Sequence, residues 1–75
     1  MIPTAVLSYL RDYDCTAASV VSVSILKPAG YDTYVWTVRF VDSMTPMWGQ
    51  SKGYADATRE AAEAIAMHAA SKEAA

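Results

Sequence analysis

Two side chains in this 75-residue sequence have the types needed for acid–base and nucleophilic chemistry. They are the single histidine, His68, and the single cysteine, Cys15, which together could act as a general base and a thiolate nucleophile. No third residue is indicated that would orient the histidine, and the acidic residue Glu60 is two turns away from it along a helix. A partly buried helix histidine and a buried small thiol are the simpler interpretations. We therefore predict that the chain is not an enzyme.

The acidic stretch around Cys15 is the candidate for metal binding. Asp12, Asp14 and Cys15 carry ligand atoms, but a metal site needs several ligands at defined spacing, and the sequence offers no second cluster. The three glycines are too scattered to form a phosphate-binding loop. We therefore expect a solvated acidic loop here, and neither a metal nor another cofactor.

Composition and charge limit what the chain can bind. Hydrophobic residues make up 53% and charged residues 19% of the sequence, which is too apolar for intrinsic disorder and fits one small domain. The basic residues occur singly and the net charge is −2, so we expect no dense positive patch for nucleic-acid phosphates. No apolar run approaches the roughly 20 residues of a membrane helix, and the N-terminus lacks the basic region of a signal peptide. We expect a cytoplasmic protein.

Alternation of apolar and polar residues predicts two strands. Residues 19–27 (SVVSVSILK) and 33–42 (TYVWTVRFVD) alternate and are rich in β-branched and aromatic residues. The turn-forming stretch KPAGYD between them favours an antiparallel hairpin. The apolar face of the hairpin should hold Val21, Val23, Ile25, Tyr34, Trp36, Val38 and Phe40. The other face should expose Ser22, Ser24, Val35, Thr37, Arg39 and Val41.

The remaining elements are predicted with different degrees of support. Residues 56–71 are rich in alanine and glutamate, which predicts a helix with Asp56 as its N-cap. Residues 4–13 fit either a short helix capped by Thr4 or a strand, and the sequence does not decide between them. Residues 47–51 fit a short edge strand that Pro46 and Gly49 weaken. On the long helix a shallow apolar stripe should be formed by Ala57, Ala61, Ala64, Ile65 and His68, with His68 at its polar border.

These elements predict an α+β fold with two layers. An antiparallel sheet of two or three strands would carry the long C-terminal helix, and a short N-terminal helix, on one face. The other face would then be exposed to water, although its ends are apolar. A homodimer would cover such a surface if two sheets met face to face, and edge-to-edge pairing is an equally open arrangement.

The segment 44–54 (MTPMWGQSKGY) is the best candidate for a binding site. Trp48 lies between Pro46 and Gly49, and Met47 is beside it. One interpretation is a loop that covers the end of the core, and the other is an exposed anchor for a partner protein, a role that suits tryptophan and methionine. In the second interpretation the protein-binding residues are Met47, Trp48 and Tyr54, with Arg39, Asp42 and Lys52 at the rim.

The order of elements resembles a double-stranded RNA-binding domain. The stretch AVLSYLRDY is similar to the first helix of that family, KPAGYDTYVWTVRFVD to its first hairpin, and GYADATREAAEAIAMHAA to its last helix. The family's paired lysines at that last helix fall on Thr58 and Arg59, and its next lysine on Ala62. The resemblance therefore implies nucleic-acid binding through Arg59, with Lys52 close to it in the chain.

Two further resemblances imply a protein partner. The stretch EAIAMH at residues 63–68 is similar to the terminal helix of HicB-type antitoxins, which implies a cognate toxin. In size, acidity and lack of catalytic motifs the chain resembles small phage-encoded inhibitors, including anti-CRISPR proteins. We predict a non-enzymatic protein–protein interaction module, most concretely a phage or mobile-element protein that inhibits a host factor. A nucleic-acid-binding module and an antitoxin are the alternatives.

Overall fold

The protein has a helical layer packed on a three-stranded sheet. The computed structural model describes residues 2–15 and 19–74. Its elements are α1 (Thr4–Asp12), β1 (Val20–Leu26), β2 (Tyr34–Phe40), β3 (Met47–Ser51) and α2 (Tyr54–Ala74). The sheet is antiparallel with the order β1-β2-β3. Helix α2 packs across all three strands, and α1 packs against α2. The predicted α+β fold is therefore confirmed, with three strands and a C-terminal helix on one face.

The core lies between β2 and α2. Trp36, Val38 and Phe40 are buried as predicted, because alternate residues of the central strand all point toward the helix. The predicted apolar stripe of α2 is also confirmed, and small alanine side chains let the helix lie close to the sheet. Each large side chain buried here stabilises the fold by about 1.5–3 kcal/mol. The buried apolar residues are Val6, Leu10, Val23, Trp36, Val38, Phe40, Ala57, Ala61, Ala62, Ala64 and Ile65.

Strand β1 follows the predicted alternation except at its beginning. Val23 pairs with Val38 and Ile25 pairs with Trp36, so these residues share the core side of the sheet. Val21, which the alternation assigns to the same face, is instead 54% exposed. The reason is a shift of the strand register between Val20 and Ser22, which takes Val21 out of the regular pairing.

Helix α1 resolves the ambiguity at residues 4–13 in favour of a helix. Its N-cap is Pro3 and no side chain caps it, so the prediction of Thr4 as the cap is wrong. At the other end, Asp14 adopts a positive φ of 51°, and its N–H donates to the Arg11 carbonyl. The N–H of Cys15 donates to the Leu10 carbonyl at 2.9 Å. These two bonds form a Schellman motif, which ends the helix.

Side chains near this motif differ from one another in burial. Cys15 is half-buried against the core rather than fully inside it. Asp12 and Asp14 are exposed, as expected for a solvated acidic stretch.

Helix α2 begins two residues before its predicted start. The N–H of Ala57 donates to the Gly53 carbonyl at 3.0 Å, so Tyr54 is already helical. Asp56 consequently lies in the first turn and does not cap the helix, which corrects that prediction. Across the described residues, neither helix has the length and apolar character needed to cross a membrane.

Candidate binding surface

Strand β3 forms despite its glycine because Gly49 accommodates a tryptophan. Gly49 pairs with Trp36 on the neighbouring strand, and the indole ring lies directly over it. A Cβ at position 49 would be only 2.6 Å from Trp36 Cζ2, closer than real contacts allow. Glycine is therefore required by the close approach of the ring. The sequence feature that weakens β3 as a strand is the same feature that lets it pack.

A carboxylate from α2 fixes the same region. Glu60 is half-buried and accepts hydrogen bonds from Trp36 Nε1 at 3.4 Å and from the buried Ser51 Oγ. A partly buried carboxylate is costly unless it is paired, so these two donors favour one position of the helix over β2 and β3. Within the described residues, no buried side-chain nitrogen or oxygen lacks a partner. Strand β3 is thus held from its core side by packing and by hydrogen bonds.

The opposite side of the sheet has no helix over it among the described residues, and we call it the open face. Its rows follow from the register: Ser24 pairs with Thr37, and Thr37 pairs with Trp48. Thr37 thus lies between Ser24 and Trp48 in one row across the sheet. The open face consists of Ser22, Ser24, Leu26, Val35, Thr37, Arg39, Trp48 and Gln50.

Trp48 is the main feature of the open face. It is 64% exposed although it stands on a regular strand. Arg39 is two residues from Thr37 on β2 and is therefore a diagonal neighbour of Trp48, at a typical Cα separation of about 7–8 Å. Tryptophan and arginine are among the residue types enriched at energetically dominant interface positions. Two neighbouring side chains of a partner could therefore contact Trp48 and Arg39 at the same time.

The other residues predicted to bind protein are placed elsewhere. Met47 is half-buried and pairs with Val38, so it lies on the core side. Tyr54 is at the start of α2, where its ring packs edge-on against Tyr34 with centroids 5.8 Å apart. Lys52 is exposed in the turn that precedes α2. The structure therefore brings Trp48 and Arg39 together and separates them from Met47 and Tyr54.

Sequence reasoning missed the partner of His68. Nε2 of His68 lies 3.1 Å from Asp42 Oδ1, and the imidazole stacks on Phe40 with ring centroids 3.9 Å apart. Asp42 is 26 residues away in the chain and meets the histidine only because α2 packs on β2. Asp42 therefore contacts the helix side of the domain, whereas the sequence placed it at the rim of a binding surface. The contact ties the segment after β2 to the end of α2.

Arg59, the candidate for nucleic-acid binding, is surrounded by acidic groups. Its guanidinium lies 3.6 Å from Asp56 Oδ1 and 3.7 Å from Glu63 Oε1. Tyr13 Oη donates to Glu63 Oε1 at 3.4 Å. Desolvation and the neighbouring Glu63 carboxylate raise the pKa of Tyr13, since both oppose a negative phenolate. A phosphate would have to compete with two carboxylates for this arginine.

Metal ligands are not grouped in the part of the chain that the structure describes. No cluster of three or more His, Cys, Asp or Glu side chains is close enough there to hold an ion.

Comparisons with protein-family models, curated proteins and solved structures give no match to this chain. The α-β-β-β-α order is observed, but it does not by itself identify a named fold. The functional interpretation therefore depends on the geometry of the molecule alone.

Proposed function

We propose that this chain is a non-enzymatic protein-binding module that contacts its partner through the open face. The observation that carries the proposal is the exposure of Trp48 on the open face, where it stands on the edge strand β3 beside the central strand. Large apolar side chains exposed singly on a surface are common. An exposed indole on a strand that is fixed from behind by Trp36 and Glu60 is different, because its position is set before any partner arrives.

Covering this indole would supply a useful part of a binding free energy. A tryptophan buries about 150–250 Å², so covering its exposed two-thirds contributes about 3 kcal/mol at 25 cal/mol per Å². Strand β3 is already paired along its length with β2, so little backbone ordering opposes the contact. Leu26 and Val35 lie on the same face and extend the apolar contact.

Charge on the open face indicates what the partner must offer. Arg39 is its one charged residue, with no carboxylate among the residues that define the face. The partner should therefore present an apolar pocket for the indole and an acidic group for Arg39. The acidic surroundings of Arg59 and the net charge of −2 favour a protein over a nucleic acid.

A more specific form of this proposal is a small phage or mobile-element protein that inhibits a host factor by occupying its surface. The support for it is the build of the chain: short, mildly acidic, and without a catalytic motif.

The test is affinity capture followed by titration. The wild-type chain identifies a candidate partner, whose binding is then measured for Trp48→Ala and Arg39→Glu. Loss of a dominant interface residue costs about 2 kcal/mol or more, so Trp48→Ala should weaken binding at least about 30-fold. The matched control is Met67→Ala, because Met67 is equally exposed (68%) but lies on α2. Binding that is unchanged in both Trp48→Ala and Arg39→Glu would refute the proposal.

A further inference from the structure

We propose that the chain also forms a two-fold homodimer in which β1 pairs antiparallel with β1 of a second copy. This would join the two sheets into one of six strands. The sheet order β1-β2-β3 makes β1 an edge, so one side of its backbone has no strand beside it among the described residues. The inference concerns a different surface from the open face and does not depend on the proposed partner.

Strand β1 lacks the charged residues and prolines that normally keep sheet edges apart. Its sequence, VVSVSIL, contains no charged residue, no proline and no glycine. Natural edge strands usually carry such residues because their unpaired N–H and C=O groups otherwise recruit another strand. The register shift between Val20 and Ser22 disturbs only the first part of β1. Residues 22–26 remain regular over five positions.

The opposite edge provides an internal comparison. Strand β3 is five residues long, contains Gly49 and directly follows Pro46. These three features discourage pairing with another strand, whereas a lysine directly follows both strands (Lys27 and Lys52) and does not distinguish them. The two edges of one small sheet therefore differ, and only β1 is left suited to extension.

Burial on the core side also indicates that the β1 edge is incomplete. Val20 and Ile25 are only half-buried, whereas their partners Phe40 and Trp36 on the central strand are buried. On the open-face side, Leu26 at the end of β1 is 51% exposed. A further strand beside β1 would cover the flanks of these side chains and satisfy the edge backbone at the same time.

A second copy suits this edge because the strand is complementary to itself. A two-fold axis normal to the sheet keeps the two sides of β1 distinct: Ser22 and Ser24 stay on the open-face side, and Val23 and Ile25 on the helix side. With the two-fold axis at Ser24, the middle of residues 22–26, Ser24 opposes Ser24 of the second copy, Val23 opposes Ile25, and Ser22 opposes Leu26. Since β1 carries no charge, no like charges are brought opposite each other. The joint is short, so we expect a dimer that dissociates on dilution.

The first test is sedimentation equilibrium over concentrations of about 1 μM to 1 mM, a range of about 4 kcal/mol in association free energy. The wild-type chain should pass from monomer to dimer. Ser24→Lys introduces a charge that meets its counterpart across the joint, and it should weaken the dimer at least tenfold. Gln50→Lys is the matched control, because it places the same charge on the same face at the other edge, and it should leave the dimer unchanged. Ser24→Glu, which places two negative charges opposite each other at the same exposed position, is a second variant should Ser24→Lys fail to fold.

Hydrogen exchange gives a second, independent readout on the wild-type chain. Backbone amides within residues 22–26 should exchange more slowly at high protein concentration, and those of β3 should not change. Trp48→Ala should dimerise normally while losing partner binding, so this inference and the proposed function fail in different experiments. A folded wild-type chain that stays monomeric up to about 1 mM would overturn the inference. A dimer that Trp48→Ala abolishes and Ser24→Lys leaves intact would also overturn it.

Discussion

The two tryptophans of this chain lie on neighbouring strands and on opposite sides of the same sheet. Trp36 is 7% exposed, covers Gly49 and donates a hydrogen bond from its indole N–H to Glu60. Trp48 is next to Gly49 in the chain, but it points away from the helix and is largely exposed. The same side chain is thus used once to build the core and once on a free surface. The difference indicates that the fold does not need Trp48, whereas it depends on Trp36.

The largest difference in stability should come from replacing each tryptophan in turn by alanine. Trp36→Ala removes a buried indole and should lower the free energy of unfolding by about 3–5 kcal/mol, which is a large part of the stability of a small domain. Trp48→Ala, the matched change on the open face, should alter it by about 0.5 kcal/mol or less. Urea denaturation of both variants checks the comparison. Equal losses of stability in the two variants would break it.

A smaller effect should follow from filling the space under Trp36. Gly49→Ala places a Cβ 2.6 Å from Trp36 Cζ2, so either the ring or strand β3 must shift. We expect a loss of about 1–3 kcal/mol in the free energy of unfolding, measured by thermal or urea denaturation. Gly53→Ala is the control, because its new Cβ would be no closer than 3.9 Å to the nearest atom, the Asp56 carboxylate oxygen. Should Gly49→Ala cost no more than Gly53→Ala, β3 is not held by this contact.

The smallest effect concerns the exposed contact between Tyr13 and Glu63, in contrast with the partly buried contact between Trp36 and Glu60. The pKa of Tyr13 is raised in the folded state by desolvation and by Glu63. Its contribution to stability is therefore fully present below pH about 10 and is lost as pH rises through the raised folded-state value. The free energy of unfolding, measured between about pH 8 and 11, should decrease slightly at the alkaline end. Tyr13→Phe should reduce that decrease, and an identical pH profile in this variant would contradict the assignment.

Sequence patterns predicted the parts of the fold that depend on local periodicity. The alternation in residues 33–42 placed Trp36, Val38 and Phe40 together on the core side, and the alanine stripe of α2 was equally readable. The residues at which the two helices begin were less predictable. Thr4 and Asp56 are good capping residues in type, but Thr4 is the first residue of α1 and Asp56 is the third residue of α2, so neither occupies a cap position.

Contacts between remote segments could not be predicted from the sequence. Asp42 reaches His68, and Glu60 reaches Trp36 and Ser51, only after α2 has packed on the sheet. The position of Trp48 was equally hard to predict from the sequence. Pro46 and Gly49 made a loop as reasonable as a strand, and the packing of the Trp36 ring over Gly49, which helps to hold β3 in the sheet, could not be read from the sequence. Trp48 consequently does not cover the core, and the anchor interpretation is the one that this placement favours.

The most direct test of Trp48 as a binding residue is the fluorescence of a single-tryptophan variant. Trp36→Phe keeps an aromatic ring in the core and leaves Trp48 as the one indole. In the free chain its emission should be that of a water-exposed indole and should be quenched readily by acrylamide. Saturation with the captured partner should shift the emission to the blue and protect it from the quencher. Emission that is already protected in the free monomer, or that stays unchanged when the partner is bound, would contradict the account.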